Sequence, residues 1–198
     1  MQEESFWLER AQMGDDEAFA YLVESYQRPV YNLCYRMLGE ENDAEDAAQE
    51  TFLRAYRSLK RYDGSRSFPT WLLSIAAHHC IDQLRKRRMS VISIDEHDFL
   101  EIPDENPGPE VKLHRSMEQA LVHGLLADLN PTDRAAVVMY YWYDFSYEEI
   151  GKALSLTLSA VKSRLHRARR SMAEEWIKRQ PKVKAEGREY QRERTPAF

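Results

Sequence analysis

The chain has 198 residues, 43% of them hydrophobic, and a formal net charge of −5, enough for one large or two small globular domains but, on the average charge alone, no argument for a nucleic-acid partner. Its two cysteines, Cys34 and Cys80, lie in apolar helix-like runs, which predicts free buried thiols in a reducing compartment and excludes a disulfide framework. No apolar run approaches the about 18 residues of a membrane span, and the Met1-Gln-Glu-Glu start lacks the basic segment of a signal peptide, so a soluble cytoplasmic protein without membrane insertion is expected.

Strand signals are nearly absent, which predicts an all-α chain. The first helix starts near Asp16, with Phe19, Leu22, Val23 and Tyr26 on one face. Pro29 predicts an interruption, after which Val30, Leu33, Cys34, Met37 and Leu38 continue the stripe until Gly39 closes it. Asp43 is the expected N-cap of a second helix from Ala44 to about Tyr62, with Ala48, Phe52, Ala55 and Leu59 facing inward. Asp63 to Ser67 reads as a loop, and Pro69 suits the first turn of a third helix through Trp71, Leu72, Ile75, Ala76 and Leu84 into the basic run Arg85-Lys86-Arg87-Arg88.

Residues 89–112 change character: acidic, with Pro103, Pro107 and Pro109, and without sustained periodicity, as expected of an extended linker. A second helical domain is expected over 113–177. It comprises a helix from about His114 to Leu129, then one capped by Asn130-Pro131 that runs to Tyr143 with Ala135, Val138, Met139 and Trp142 inward, then a helix pair. In that pair, Ser146 and Glu149 form a capping box for a helix from Tyr147. Ser155 to Leu158 make the turn, and Ser159 is the expected cap of a second helix. Val161, Leu165, Ala168 and Met172 line its inner row, leaving Ser163, His166, Arg167 and Arg170 outside with Lys162, Arg164 and Arg169 on the flanks. That is the layout of a DNA-reading helix-turn-helix, although a solvated basic helix shows the same pattern. Residues 178–198 are polar and charged, which predicts a disordered or loosely docked tail.

The average charge hides an alternation. Residues 1–50 carry −10, residues 51–88 carry +7, residues 89–158 carry −9 and residues 159–198 carry +7. Two basic blocks predict two separate phosphate contacts, since affinity for DNA follows local charge, and the acidic blocks suit a basic protein surface. In the first basic block, a loop beside Tyr62, Phe68 and Trp71 could hold an unstacked base, while the alternative is that Phe68 and Trp71 are core.

DAEDAAQETFLRAYRSLKRYDG followed by SFPTWLLSIAAHHCIDQLRKRR resembles domain 2 of bacterial extracytoplasmic-function (ECF) sigma factors. LNPTDRAAVVMYYWYDFSYEEIGKALSLTLSAVKSRLHRARRSM resembles their domain 4. The resemblance implies domain 2 over 1–88, domain 4 over 113–177, and a protein that binds core RNA polymerase, carries it to promoters and helps melt the −10 DNA. It implies no enzyme activity and no cofactor. By motif position, Asp43, Asp46, Gln49, Glu50 and Phe52 would meet the clamp coiled coil of the polymerase β′ subunit, and domain 4 the β flap. Arg61, Gly64, Ser65, Arg66, Ser67, Phe68, Trp71, His78, His79, Gln83, Arg85, Lys86 and Arg88 would line the −10 element. Ser159, Lys162, Ser163, Arg164, His166, Arg167 and Arg170 would meet the −35 element. An anti-sigma factor is a further implied partner, with the apolar faces beside Val138 and Trp142 as its seat.

Two departures from the family pattern matter. His79 stands where Asn is expected, and Ser155 where Gly is usual, so that either Ser155 tolerates a strained φ or the turn differs slightly. A metal site from His78, His79, Cys80 and Asp82 is disfavoured because neighbouring helical residues diverge, leaving only the 78/82 pair on one side. A helix-turn-helix repressor or response-regulator-like protein is the competing reading.

Overall fold

Local capping chemistry and buried stripes together account for several of the helix starts and stops. A computed structural model describes residues 2–64, 66–91 and 120–193, and every regular element in them is helical. Helix α1 (Gln2–Gln12), absent from the periodicity reading, packs on α2 (Asp16–Leu38). Trp7 stacks on Tyr21 at 4.6 Å, and the Gln12 amide donates to the Leu59 and Tyr62 carbonyls at 3.2 and 2.7 Å. Asp15 caps α2 through the Ala18 N–H, and Gly39 ends it at φ 88°, a left-handed conformation that only glycine adopts without strain.

The interruption expected at Pro29 does not occur: α2 runs straight through it. Leu22 on one side and Val30, Leu33 and Met37 on the other are fully buried, and burial on that scale outweighs the lost hydrogen bond. The freed carbonyl belongs to Ser25, an exposed residue.

Helix α3 (Glu41–Ser58) begins before the expected Asp43 and closes in a 3₁₀ turn at Leu59–Arg61. Helix α4 (Phe68–Val91) starts one residue ahead of Pro69, with Ser67 Oγ accepting the Thr70 N–H at 3.3 Å. Helices α1 to α4 form one bundle, in which Cys34 and Cys80 are buried free thiols. The Cys80 thiol, hydrogen-bonded with Cys34 and removed from water, has its pKa pushed well up.

In the second half, α5 (120–127) leads to α6 (Pro131–Trp142), capped by Asn130 with Pro131 in the first turn. Helix α7 (Tyr147–Leu154) carries both arms of the Ser146–Glu149 capping box. Helix α8 (Leu158–Glu193) begins one residue before the expected cap, because the Thr157 hydroxyl, not Ser159, accepts the Ala160 N–H at 3.2 Å. Its backbone is helical to Glu193, within the stretch expected to be a disordered or loosely docked tail.

The halves share one core. Helices α6 and α7 pack on α4, and α6 also packs on α2. Arg134, buried to 7% exposure, donates to the Met37 and Ala127 carbonyls. Burial first, then the nearby Arg88, lowers its pKa to about 10. Trp142, expected inside, is 37% exposed and lies under the Arg36 guanidinium at 5.1 Å. The expected linker lies outside the described residues except for its start, Met89 to Val91.

Candidate nucleic-acid interface

Helix α8 separates its faces sharply. Val161, Leu165 and Ala168 are at most 2% exposed and rest on α6 and α7, while Ser159, Lys162, Ser163, His166, Arg167 and Arg170 all face solvent. The turn that presents this face is tight. The Leu156 N–H donates to the Gly151 carbonyl at 2.8 Å, and Ser155 sits at φ 55°, ψ 45°, the strained one of the two alternatives its sequence position left open.

Two flanking arginines behave differently from that row. Arg169 reaches Tyr147 Oη at 3.3 Å and lies over the Tyr140 ring at 5.5 Å, lowering the pKa of Tyr147. Arg164, expected at DNA, turns inward to Asp133 at 2.7 Å. Arg170 pairs on the surface with Glu174 at 2.9 Å, an exposed i,i+4 contact that a stronger anion can displace.

The second basic surface lies on α4 and the loop before it. Arg61, Gly64, Ser67, His78, Arg85, Lys86 and Arg88 are exposed. Phe68 at 3% and Trp71 at 9% are core instead, packed with Tyr62, whose hydroxyl donates to the Arg66 carbonyl at 2.6 Å. The rings therefore follow the core reading that the sequence favoured for Trp71 and brace the loop from beneath, rather than facing a base as their motif position implied. Ser65 lies outside the described residues.

His78 Nδ1 contacts the Ser74 carbonyl at 2.8 Å, and His79 Nε2 contacts the Gln83 amide at 3.0 Å. Burial, then Arg54, lowers the His79 pKa. No three metal-ligating side chains converge among the described residues. Two members of this surface are engaged by the second half: Arg66 donates to the Lys152 carbonyl at 3.1 Å and Arg85 to Thr132 Oγ1 at 3.5 Å.

On α3, Asp46 and Gln49 are exposed and Asp43, Glu50 and Phe52 half-buried. Asp43 pairs with Arg87 at 2.6 Å. Glu50 pairs with Arg54 at 2.7 Å, and that hydrogen bond holds its carboxyl below the ordinary range. Sequence reasoning passed over Leu53, 52% exposed and four residues beyond Gln49 on the same side. An apolar side chain at helical spacing from an outward acidic row was the available signal.

Comparison with known proteins agrees with this geometry. Residues 22–89 match the family model for Sigma-70 region 2, and residues 119–172 that for Sigma-70, region 4. The chain is 40% identical over 152 residues to the ECF RNA polymerase sigma factor SigE of Mycolicibacterium smegmatis, an alignment spanning 76% of this chain and 58% of that one. It is 33% identical over 177 residues to the ECF RNA polymerase sigma factor SigW of Bacillus subtilis, covering 83% and 92% of the two chains. In fold it is similar to CnrH, solved in complex with the cytosolic domain of CnrY, with a TM-score of 0.65 at 24% identity over 87% and 96% of the chains. It is likewise similar to the Bartonella quintana sigma factor RpoE, solved with the anti-sigma factor NepR, with a TM-score of 0.61 at 19% identity over 79% and 94%. With both motif blocks matched in order and nearly all of the Bacillus relative covered, the chain belongs to the ECF RNA polymerase sigma factors.

Proposed function

We propose that this chain is a promoter-specificity subunit, without catalytic chemistry of its own, that joins core RNA polymerase in the cytoplasm and directs it to −10 and −35 elements. The observation that carries this reading is the solvent-facing row Lys162, Ser163, His166, Arg167 and Arg170 on a helix whose opposite side is sealed into the core. Such a helix, held behind a short partner, enters a major groove and offers arginine forks to guanine and hydroxyls to other bases.

The second basic surface suits the −10 DNA. Arg61, Lys86 and Arg88 would follow phosphates, and the loop around Gly64 to Ser67 would accept an unstacked base. Opening promoter DNA costs about 1.4 kcal/mol per stacked step, so the bound polymerase must supply much of the energy. Asp46, Gln49 and Glu50, joined by Leu53, form an acidic and apolar face suited to a basic helical partner on the polymerase, in keeping with the β′ clamp coiled coil; the second domain would meet the β flap.

Two solved structures of similar fold are complexes with another chain, one of them named an anti-sigma factor. An anti-sigma partner here would seat at the boundary between the halves. A cavity of about 450 Å³ there is lined by Asn32, Arg36, Trp142 and Tyr143 among others. Val138 has no part in that seat, being fully buried.

The test is reconstitution with core polymerase. Co-purification of a 1:1 complex that starts transcripts at defined promoters is the expected result. Failure to bind polymerase, together with tight autonomous binding to duplex DNA, would favour the repressor reading.

A further inference from the structure

Arg164 sits among the basic residues of α8, yet its guanidinium does not join them. Nη1 lies 2.7 Å from Asp133 Oδ1, with the two side chains 27% and 10% exposed. The other carboxylate oxygen of Asp133 accepts the Asn130 amide at 2.8 Å, and the Asp133 backbone N–H donates to Asn130 Oδ1 at 3.0 Å. The arginine is thus tied to the cap of α6, 31 residues away in sequence.

This differs from an ordinary surface ion pair, which solvent screens and which contributes little. The acidic partner is almost excluded from water and both its oxygens are occupied, so its position is set by the α6 cap. Along α8, Arg164 lies a step of about 100° beyond Ser163, on the side that meets α6. Base readout by Arg would need the guanidinium fork free to face two acceptors, whereas here one arm is committed elsewhere.

We propose that Arg164 is a positioning residue: by gripping Asp133 it sets the rotation and tilt of α8 on α6, and so the register in which Ser163, His166, Arg167 and Arg170 meet base edges. The proposal rests on the reading of α8 as the −35 helix. It separates residues that touch DNA from one that decides where they touch.

The test uses holoenzyme reconstituted from the full chain and core polymerase. Wild type first selects a preferred sequence from a duplex pool randomised over the upstream promoter element. Affinity for the selected and a scrambled duplex is then measured across a salt series for Arg164→Ala, Asp133→Asn, the double variant and Arg167→Ala. Positioning predicts that Arg164→Ala and Asp133→Asn each reduce discrimination by about tenfold, the scale of one mismatched base pair. The double variant is then no worse than either single one, and the slope of log K against log[salt] is unchanged. Arg167→Ala, a direct contact, lowers that slope by about 1.

The proposal is overturned if Arg164→Ala lowers the slope while Asp133→Asn does nothing, if the losses multiply, or if both variants bind like wild type. Should Arg164→Ala fail to fold, Arg164→Lys decides. Positioning predicts lost discrimination despite the retained charge, because an ammonium does not reproduce the guanidinium fork, and undiminished discrimination overturns it. A wild-type holoenzyme that enriches no sequence instead removes the reading of α8 as the −35 helix, and is told apart because no substitution is involved.

Discussion

The Tyr143 hydroxyl donates to the Pro29 carbonyl at 2.5 Å, fastening the end of α6 to the middle of α2 across 114 residues of sequence. Burial pushes the Tyr143 pKa well above its ordinary value, so the hydroxyl stays protonated and remains a donor at any pH the protein meets. Tyr143→Phe keeps the ring and removes this bond. The expected loss is about 1 kcal/mol, read as a melting temperature about 2–4 °C lower with unchanged helical circular dichroism. A loss near zero would mean that this bond adds nothing to what the shared core and the Arg134–Met37 bond already hold.

His123 belongs to the same boundary, its ring edge-on to Tyr35 at 4.6 Å. Burial lowers its pKa from 6.5, with Arg36 and Arg134 adding repulsion. The folded chain therefore favours the neutral ring. As pH falls below 6.5 the unfolded chain takes up the proton first, so this contribution is complete above 6.5 and is lost as pH falls through the lower folded pKa. His79, shifted the same way by burial and Arg54, adds to the slope. Urea denaturation at pH 7.5 and 5.5 should show wild type losing more stability on acidification than His123→Gln. Equal losses would contradict the assignment.

The turn between α7 and α8 predicts effects of opposite sign at two nearby positions. Ser155, exposed at φ 55°, is strained where glycine would not be. Ser155→Gly should stabilise by about 1 kcal/mol. A Cβ added at Gly151 would lie 2.9 Å from the Leu156 carbonyl oxygen. Gly151→Ala should therefore destabilise by about 1–3 kcal/mol and weaken promoter binding with it. Chemical denaturation of both variants checks the pair.

Around the α4 loop, core and surface should separate cleanly. Phe68→Ala or Trp71→Ala should cost about 3–5 kcal/mol of stability, so any DNA defect in those variants follows from lost folding. Arg61→Ala and Lys86→Ala remove exposed side chains. They should leave stability within about 0.5 kcal/mol while each lowers the salt slope of holoenzyme binding by about 1.

Features set by neighbours three or four residues apart were legible in the chain. The Ser146–Glu149 box, the Asn130-Pro131 start, the Gly39 stop and the Val161–Leu165–Ala168 row are all decided by interactions within one helical turn. The charge blocks located both basic surfaces for the same reason, since composition is local.

What the sequence by itself determined, then, is the helical class, most of the helix starts and the split face of α8. Tertiary structure alone decided that α2 continues through Pro29, that Trp142 lies at an exposed edge, and that Arg164 leaves the basic row for Asp133. It also decided that the two halves share a core through Arg134 and Tyr143. Periodicity records which side of a helix is apolar, but the partner for a buried donor or guanidinium comes from another helix, and no spacing along the chain encodes which one.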